Sequence, residues 1–407
     1  MTTSPQPARI AIVGGGPAAL MMAIALARRG LPSAVFERDA HPDVAPRFNP
    51  DRSYTIDITG HGARALRYID AATQFDHDLI QFKGVKLLSH KTEEWTEQGW
   101  TGSRGDILRS LMVVISARHR DLIDFHFSTR VDAVDVTEGR LTYTSADGAT
   151  QTSPFDLIVG GDGAGSVVRK AMLEQVPGFT VARASIPNYC TMLELDKVGD
   201  TLDPHYLYAL SVRPPCIAGA INGEAGPGTP RWFCMVAASE KQSFASVEEV
   251  RQLFRHSPQV LEMASAASIE AFAQRECHHI GQKLTCSQFY GGKAVLLGDA
   301  ASPFTPIGQG VNAAMESAMT LDRCIGSIGH SPSQVLDAAR RYSDLWKPEA
   351  EAVSWISEKM ALDNPLHLLR GAVATQFGVS VFGQAKRSDI PYSQVKRDAE
   401  RLWPLWA

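Results

Sequence analysis

A glycine-rich segment near the N-terminus holds the first residues that could do chemistry. Between Arg9 and Arg38, the residues Gly14, Gly16 and Ala19 match the pattern G-x-G-x-x-[G/A]. Gly14 allows a tight turn, Gly16 lets a pyrophosphate approach the backbone, and Ala19 lets a helix pack closely on a strand. Glu37, 23 residues after Gly14, can accept a hydrogen bond from a ribose 2′-hydroxyl. The segment predicts a dinucleotide site and by itself leaves NAD and FAD open.

Two later aspartates stand where predicted strands end. Asp162 lies in the run LIVGGDG, and Asp299 follows Gly298 and the apolar run AVLL. Strands of a parallel sheet deliver such residues to its carboxyl edge, where Asp299 can accept a hydrogen bond from a ribityl hydroxyl. The alternative for Asp299 is an N-cap aspartate in a plain strand–turn–helix unit.

A proline-bearing turn follows Asp299 and leads into a predicted helix. Gly308 and Gly310 in this turn allow close approach to a ligand, and the helix is predicted from about Val311 to Ile325. The N-terminus of a helix carries a partial positive charge, so it can stabilise negative charge on a reduced flavin. The later motifs therefore favour FAD over NAD.

In their order and positions, the three motifs resemble those of the single-component, class A flavoprotein aromatic hydroxylases of the p-hydroxybenzoate hydroxylase fold. The resemblance covers most of residues 8–345, and the run RSYTIDIT at 52–59 resembles the kynurenine 3-monooxygenase branch. The resemblance implies that the chain binds FAD and uses NADPH or NADH as co-substrate. It also implies a monooxygenase that transfers one oxygen atom from O2 to an aromatic or heteroaromatic small molecule through a flavin C4a-hydroperoxide.

The resemblance also implies roles for individual residues. Pro306, Gly308 and Tyr54 are expected at the reacting face. Ser302 stands where relatives often have histidine, which questions a proton-handling role there but not flavin binding. The expected cofactor-binding residues are Gly14, Gly16, Ala19, Glu37, Arg38, Arg109, Asp162, Asp299, Gly310, Val311 and Asn312.

Substrate contacts are expected from the sheet that would cover the flavin. For each candidate there, a structural or surface role is the more common one, and Tyr54 is favoured slightly because it lies in the family-like run. The candidates on the sheet are His205, Tyr206, Tyr208, Arg213 and His278.

The elements around the motifs predict an α/β fold with α+β elements. We expect a Rossmann-like FAD-binding domain (1–75, 101–180 and 284–345) with an inserted, mainly antiparallel substrate sheet (76–100 and 181–283). One helix, Ser246 to Phe254, is predicted within that insertion. A helical region, 346–407, is predicted to end the chain.

Composition narrows the class of protein. The chain has 407 residues, is 44% hydrophobic, and carries a net charge of −4, which argues against a broad nucleic-acid surface. Its six cysteines form no C-x-x-C pair, so we expect reduced, mostly buried thiols, no metal site and a cytoplasmic enzyme.

The window 366–385 contains Arg370, Gln376 and Gln384 and predicts a packed helix pair rather than a membrane span. The expected partners are the aromatic substrate and O2, with the chain a monomer or homodimer.

Other activities remain open at this point. An epoxidase, an N-hydroxylase or a Baeyer–Villiger-type enzyme would use the same cofactor, and a flavin reductase would make no oxygenated product. A non-catalytic binding module is disfavoured by Asp162, Asp299 and the Gly308–Gly310 turn. A flavin halogenase is disfavoured because no W-x-W-x-I-P-like segment occurs.

Overall fold

The computed structural model describes residues 7–45, 49, 55–88, 91–223, 226–305, 308–359 and 380–402. Tyr54 and Pro306 therefore lie outside the described residues, as does most of the window 366–385. The strands, in chain order, are β1 Ile10–Val13, β2 Ser33–Phe36, β3 Ile56–Ile58, β4 Ile80–Lys86, β5 Thr92–Gly102, β6 Ile123–His126, β7 Arg130–Asp135, β8 Arg140–Thr144, β9 Thr150–Pro154, β10 Leu157–Gly160, β11 Val181–Ser185, β12 Tyr189–Glu194, β13 Tyr206–Val212, β14 Pro215–Gly223, β15 Gly226–Ala238, β16 His278–His279, β17 Gln282–Cys286, β18 Tyr290–Gly291 and β19 Ala294–Leu296.

The helices begin at clear local signals. Pro17 opens the first helix and Ser103 caps the fourth, where its hydroxyl accepts from Asp106 N–H and the Asp106 carboxylate accepts in return. The helices are α1 Pro17–Arg28, α2 Gly60–Tyr68, α3 Ala72–Asp78, α4 Arg104–Arg118, α5 Val167–Gln175, α6 Val247–Leu253, α7 Pro258–Glu262, α8 Ala266–Gln274, α9 Gly310–Ile328, α10 Pro332–Lys359, α11 Val381–Ala385 and α12 Tyr392–Leu402.

A six-stranded sheet carries the three motifs. Its order is β18-β19-β10-β1-β2-β6, and all neighbours pair in parallel except the edge strand β18. Every residue of β1 and β10 is buried, as expected of parallel strands covered on both faces. The predicted α/β class is confirmed.

A second sheet has eight strands in the order β16-β12-β15-β14-β13-β4-β5-β3. Its neighbours are antiparallel except for β13 and β4, so the prediction of a mainly antiparallel sheet is confirmed. β3, which was expected within the first segment of the FAD-binding domain, is an edge strand of this sheet. Two smaller sheets consist of β7-β8-β9 and β11-β17.

The two faces of the eight-stranded sheet differ. One face packs on α6, α7 and α8 through a cluster that includes Trp232, Phe254 and Phe272. The other face carries a small cluster with Met192 and Phe233. The prediction of a single helix in this region is wrong, because α7 and α8 also form behind their own serine N-termini at 257 and 265.

The long helix α9 is the centre of the helix packing in the C-terminal third. α9 packs against α1, α2 and α10, and α12 packs against α10. All six cysteines are buried and unpaired, as predicted. Within the described ranges, no helix combines the length and the apolar character needed to cross a membrane.

Candidate active site

The ends of three adjacent parallel strands bring the motifs together. β1 pairs with β10 and β10 pairs with β19, with Val13 opposite Gly160 and Gly160 opposite Leu296. The segments that follow these strands therefore meet at one edge of the sheet. That edge holds Gly14, Asp162 and Asp299.

The first turn needs glycine and leaves space in front of it. Gly14 has φ +100°, and a Cβ there would lie 2.6 Å from the carbonyl oxygen of Gly161. Gly16 is the N-cap of α1, no side chain caps that helix end, and a Cβ on Gly16 would meet nothing nearer than 3.9 Å. A ligand can thus approach the uncapped N–H groups of α1 closely.

Glu37 lies directly against this turn. Its carboxylate accepts hydrogen bonds from the N–H groups of Gly15 and, at 2.8 Å, of Asp39. Ala19 is fully buried, and a Cβ on Gly161 would lie 3.1 Å from that of Ala19, which shows how closely α1 packs on the strand end.

Asp162 is partly satisfied by the helix that follows it. Its Oδ2 accepts from the N–H of Val167 at 2.7 Å and from that of Val168 at 3.3 Å. Its Oδ1 is buried and has no hydrogen-bond partner in the part of the chain that the structure describes. Desolvation raises the pKa of Asp162, although hydrogen bonds from Ser166 and the backbone oppose the shift.

Asp299 stands in a short 3-10 turn, Gly298–Ala300. Its side chain is accessible and lines a cavity together with Ser302 and Gly310. Protein atoms nevertheless crowd the carboxyl group, and this desolvation raises the pKa of Asp299 against the opposing charges of Arg104 and Arg169.

Two arginines at this edge were missed by the sequence reasoning. Arg169 on α5 donates at 2.8 Å to the carbonyl of Ala300 and also to that of Ala164, so it ties together the segments that follow β10 and β19. Arg104, the first residue of α4, has its Nη2 3.9 Å from the Cβ position of Gly16. The capping box that starts α4 was the signal that could have located Arg104.

The residues from Gly308 to Gly310, here called the α9 turn, lie against β3. Gly308 has φ +75°, and a Cβ there would lie 2.5 Å from Oδ1 of Asp57. Asn312 is fully buried; its amide donates to the carbonyls of Asp57 and Gly308 at 3.0 and 2.8 Å and accepts from Thr59 N–H at 3.0 Å. The Asn312 side-chain amide thus serves the turn, and the role of Asn312 toward the cofactor stays a prediction.

Four other expected cofactor residues lie in α9, in α4 and just after β2. Gly310 opens α9, and among the described residues a Cβ on it would meet nothing within 4 Å, while the next residue, Val311, is half-buried. Arg109 donates to the carbonyl of Ala45, in the segment after β2. The Arg38 side chain is 79% exposed and lies 4.0 Å from Asp39. The roles of Arg38 and Arg109 stay predictions.

Among the described residues, the hydrogen bonds, ion pairs and ring contacts observed for the expected substrate residues do not reach the sheet edge that holds Gly14, Asp162 and Asp299. Tyr208 packs 5.9 Å from Trp232, within the cluster that faces α6 to α8, and its expected substrate contact stays a prediction. Tyr206 donates to Glu94 at 2.8 Å, and His205 pairs with Asp203 at 2.7 Å.

The remaining two candidates stand at the margins of the same sheet. Arg213 lies exposed where β13 turns into β14. His278 lies in the edge strand β16, opposite Cys190. The order of strands places β16 at the end of the sheet farthest from β3, which adjoins the α9 turn.

A buried histidine lies behind the α9 turn. His61 on α2 is 1% exposed, its Nδ1 is 2.5 Å from the Glu316 carboxylate, and its ring stacks 4.0 Å from Tyr392. Burial and, to a smaller extent, the charge of Arg64 lower the pKa of His61 to about 4, against the opposing charges of Glu349 and Glu97.

This histidine predicts a loss of stability in mild acid. The unfolded chain takes up a proton on His61 below pH 6.5, whereas the folded protein resists it until about pH 4. The free energy of unfolding should therefore fall between these values, by at most about 1.4 kcal/mol per pH unit, because the Glu316 carboxylate 2.5 Å away favours the protonated ring. Urea unfolding of wild type and His61→Gln at pH 7.5 and 5.5 measures the effect. The variant should lose less stability, and equal losses would contradict the assignment.

The chain is similar in sequence to an FAD-binding family and to two named monooxygenases. The family model described as FAD binding domain matches residues 8–345. The kynurenine 3-monooxygenase of Salinispora tropica is 25% identical over 418 aligned residues, covering 97% of this chain and 91% of that one. The 3-amino-4-hydroxybenzoate 2-monooxygenase of Streptomyces cremeus is 26% identical, covering 90% of each chain.

A solved structure shares the fold. The tetrameric form of 2-methyl-3-hydroxypyridine-5-carboxylic acid oxygenase superposes with a TM-score of 0.64 at 19% identity, covering 96% of both chains. The likeness therefore extends across both sheets and the helices around them.

Proposed function

This chain belongs to the FAD-binding domain family, and from that premise we propose that it is an FAD-dependent monooxygenase. It consumes NADPH or NADH and inserts one oxygen atom from O2 into an aromatic or heteroaromatic small molecule. One observation carries the proposal: the Gly14 turn, Asp162 and Asp299 follow three adjacent parallel strands and meet at one edge of the sheet.

The residues at this edge fit FAD. The uncapped start of α1 and the open space at Gly16 suit a pyrophosphate, and Arg104 adds a positive charge beside it. The buried, unpartnered Oδ1 of Asp162 and the crowded carboxylate of Asp299 suit hydroxyl donors. Glu37 is held at the turn where an adenosine ribose would lie.

Bound FAD would supply the redox chemistry, with electrons from the nicotinamide and transfer of oxygen from O2. The residues of this chain bind and orient. Asp299 would accept from the ribityl chain, and the N-terminus of α9 would stabilise negative charge on the reduced ring. Gly308 and Gly310 keep side chains out of the space beside the ring. None of these roles requires a protein nucleophile.

The names of two similar proteins support a substrate class. Two of the related proteins are named for rings that carry both a hydroxyl and a carboxylate, 3-amino-4-hydroxybenzoate and 2-methyl-3-hydroxypyridine-5-carboxylic acid. We propose an electron-rich ring with an amino or hydroxyl group, because such rings accept an electrophilic oxygen most readily. The small cluster of Met192 and Phe233 supplies an apolar wall on the sheet face away from α6 to α8.

The test uses the purified full-length chain. It should be yellow, and an aromatic substrate should stimulate its oxidation of NADPH or NADH. Mass spectrometry of the product formed under 18O2 should show one labelled oxygen on the ring. A colourless chain without affinity for FAD would refute the proposal, and an unlabelled product would favour a reductase. A label on nitrogen or in an ester would favour N-hydroxylation or a Baeyer–Villiger reaction.

The finer expectations stay proposals. We propose a cytoplasmic location, which the six unpaired cysteines support. We also propose a monomer or homodimer, which size-exclusion chromatography with light scattering would test. We propose the division into 1–75, 101–180 and 284–345, with 76–100 and 181–283 as the substrate sheet and 346–407 as a helical region. The two separate large sheets support it, except that β3 belongs to the eight-stranded sheet.

A further inference from the structure

The C-terminal segment reaches the α9 turn through a buried hydrogen bond. Tyr392, at the start of α12, is fully buried and donates its hydroxyl to Oε1 of Gln309 at 2.9 Å. Gln309, also fully buried, donates from Nε2 to the carbonyl of Gly308 at 3.1 Å. Two hydrogen bonds thus connect the Tyr392 hydroxyl to the Gly308 peptide, beside which the proposed flavin ring would lie.

The same segment contacts the other side of the turn. Lys386, between α11 and α12, pairs with the carboxylate of Asp57, and both side chains are buried. The Cβ position of Gly308 lies 2.5 Å from the same carboxylate. Residues 380–402 therefore reach the turn by two routes. Tyr392 on α12 contacts it directly, and Lys386 contacts Asp57 on β3, which lies against it.

The Tyr392 ring is held separately from its hydroxyl. It stacks on His61 with the ring centroids 4.0 Å apart and the planes inclined by 25°. Buried polar networks fix one arrangement when every member has its partner. Removing the hydroxyl alone should therefore preserve the packing of α12 while releasing the amide of Gln309.

We propose that Tyr392 is a positioning residue for the flavin site, an inference that rests on the proposed FAD-dependent function. It acts through Gln309, which it holds so that Gly308 and the first N–H groups of α9 keep one arrangement beside the ring. Tyr392 does not touch the cofactor in this role. Its contribution is to the order of the turn, with consequences for flavin affinity and for the coupling of NADPH use to product.

Tyr392→Phe in the full-length protein tests the proposal. FAD should dissociate with a constant about three- to tenfold higher, as expected for one lost buried hydrogen bond. The visible absorption band of bound flavin should shift, and more of the NADPH consumed should yield hydrogen peroxide. KM for the aromatic substrate should change little. Amide hydrogen exchange of residues 308–312 should accelerate in the chain with and without FAD.

The control is Tyr143→Phe. Tyr143 is also a buried tyrosine, and its hydroxyl lies 3.3 and 3.2 Å from Gln151 and Ser153 in the three-stranded sheet. That variant should match the wild type in every readout. Gln309→Ala should reproduce the effect of Tyr392→Phe, and the double variant should add nothing further.

Two failures are distinguishable. If the wild type binds FAD and Tyr392→Phe matches it in affinity, spectrum, coupling and hydrogen exchange, the positioning role is overturned and the proposed function stands. If the wild type binds no FAD, the proposed function fails and the positioning role fails with it.

Discussion

Gly14→Ala should abolish stable FAD binding and weaken the fold. The backbone at Gly14 has φ +100°, which an alanine rarely adopts, and its Cβ would lie 2.6 Å from the carbonyl oxygen of Gly161 and 2.9 Å from Cα of Asp162. Both neighbours are backbone atoms, so the turn must move away from the end of β10. We expect a loss of about 2–4 kcal/mol in the free energy of unfolding.

Gly16→Ala is the matched control. Gly16 has φ −75°, and a Cβ there meets nothing nearer than 3.9 Å, so the ligand-free chain should lose no more than about 1 kcal/mol. The added methyl group would nevertheless occupy the space in front of α1, and FAD affinity should fall at least about tenfold if a pyrophosphate lies there. Urea unfolding without FAD and titration with FAD separate the two effects. A Gly14→Ala chain with wild-type stability and affinity would refute the argument.

Local rules explain what the sequence could predict. The helix from Ser246 to Phe254 was predicted with bounds that coincide with the N-cap and C-cap of α6, because a capping serine marks its start within a few residues. The glycine turn was predicted for the same reason, since strand, turn, helix and Glu37 lie within 30 residues. The strand runs before Asp162 and Asp299 likewise identified the sheet edge.

Contacts between distant parts of the chain explain what was missed. The Asp57–Lys386 pair joins residues 329 positions apart, and Tyr392 lies 83 positions from Gln309. No periodicity connects such pairs, so the support of the α9 turn by residues 380–402 could be found only in three dimensions. The sheet face that Tyr208 occupies could not be predicted for a related reason: alternation along a strand shows two faces but does not show which face α6 to α8 will cover.

Asp299→Asn should weaken FAD binding and at the same time stabilise the ligand-free protein. The carboxylate is crowded by protein atoms, and desolvation raises its pKa despite Arg104 and Arg169. Asparagine keeps the shape, removes the charge and is a poorer acceptor for a ribityl hydroxyl. FAD affinity should fall by about 1–3 kcal/mol, the usual effect of losing a hydrogen bond to a charged group. Fluorescence titration of FAD and thermal unfolding of the stripped protein measure the two changes.

The pH dependence of the stability change shows whether the charge of Asp299 causes it. The pKa of Asp299 is higher in the folded protein than its ordinary value of 3.8, so its ionisation disfavours folding above the folded-state pKa. The stability gained by Asp299→Asn should therefore be complete at pH 7–8 and disappear as the pH falls through that pKa towards 3.8. Asp124→Asn, on a carboxylate that is 74% exposed, should change neither property. If Asp299→Asn instead lowered stability at pH 8 and left FAD affinity unchanged, Asp299 would be a structural cap, and the edge that it shares with Asp162 would not bind the ribityl chain.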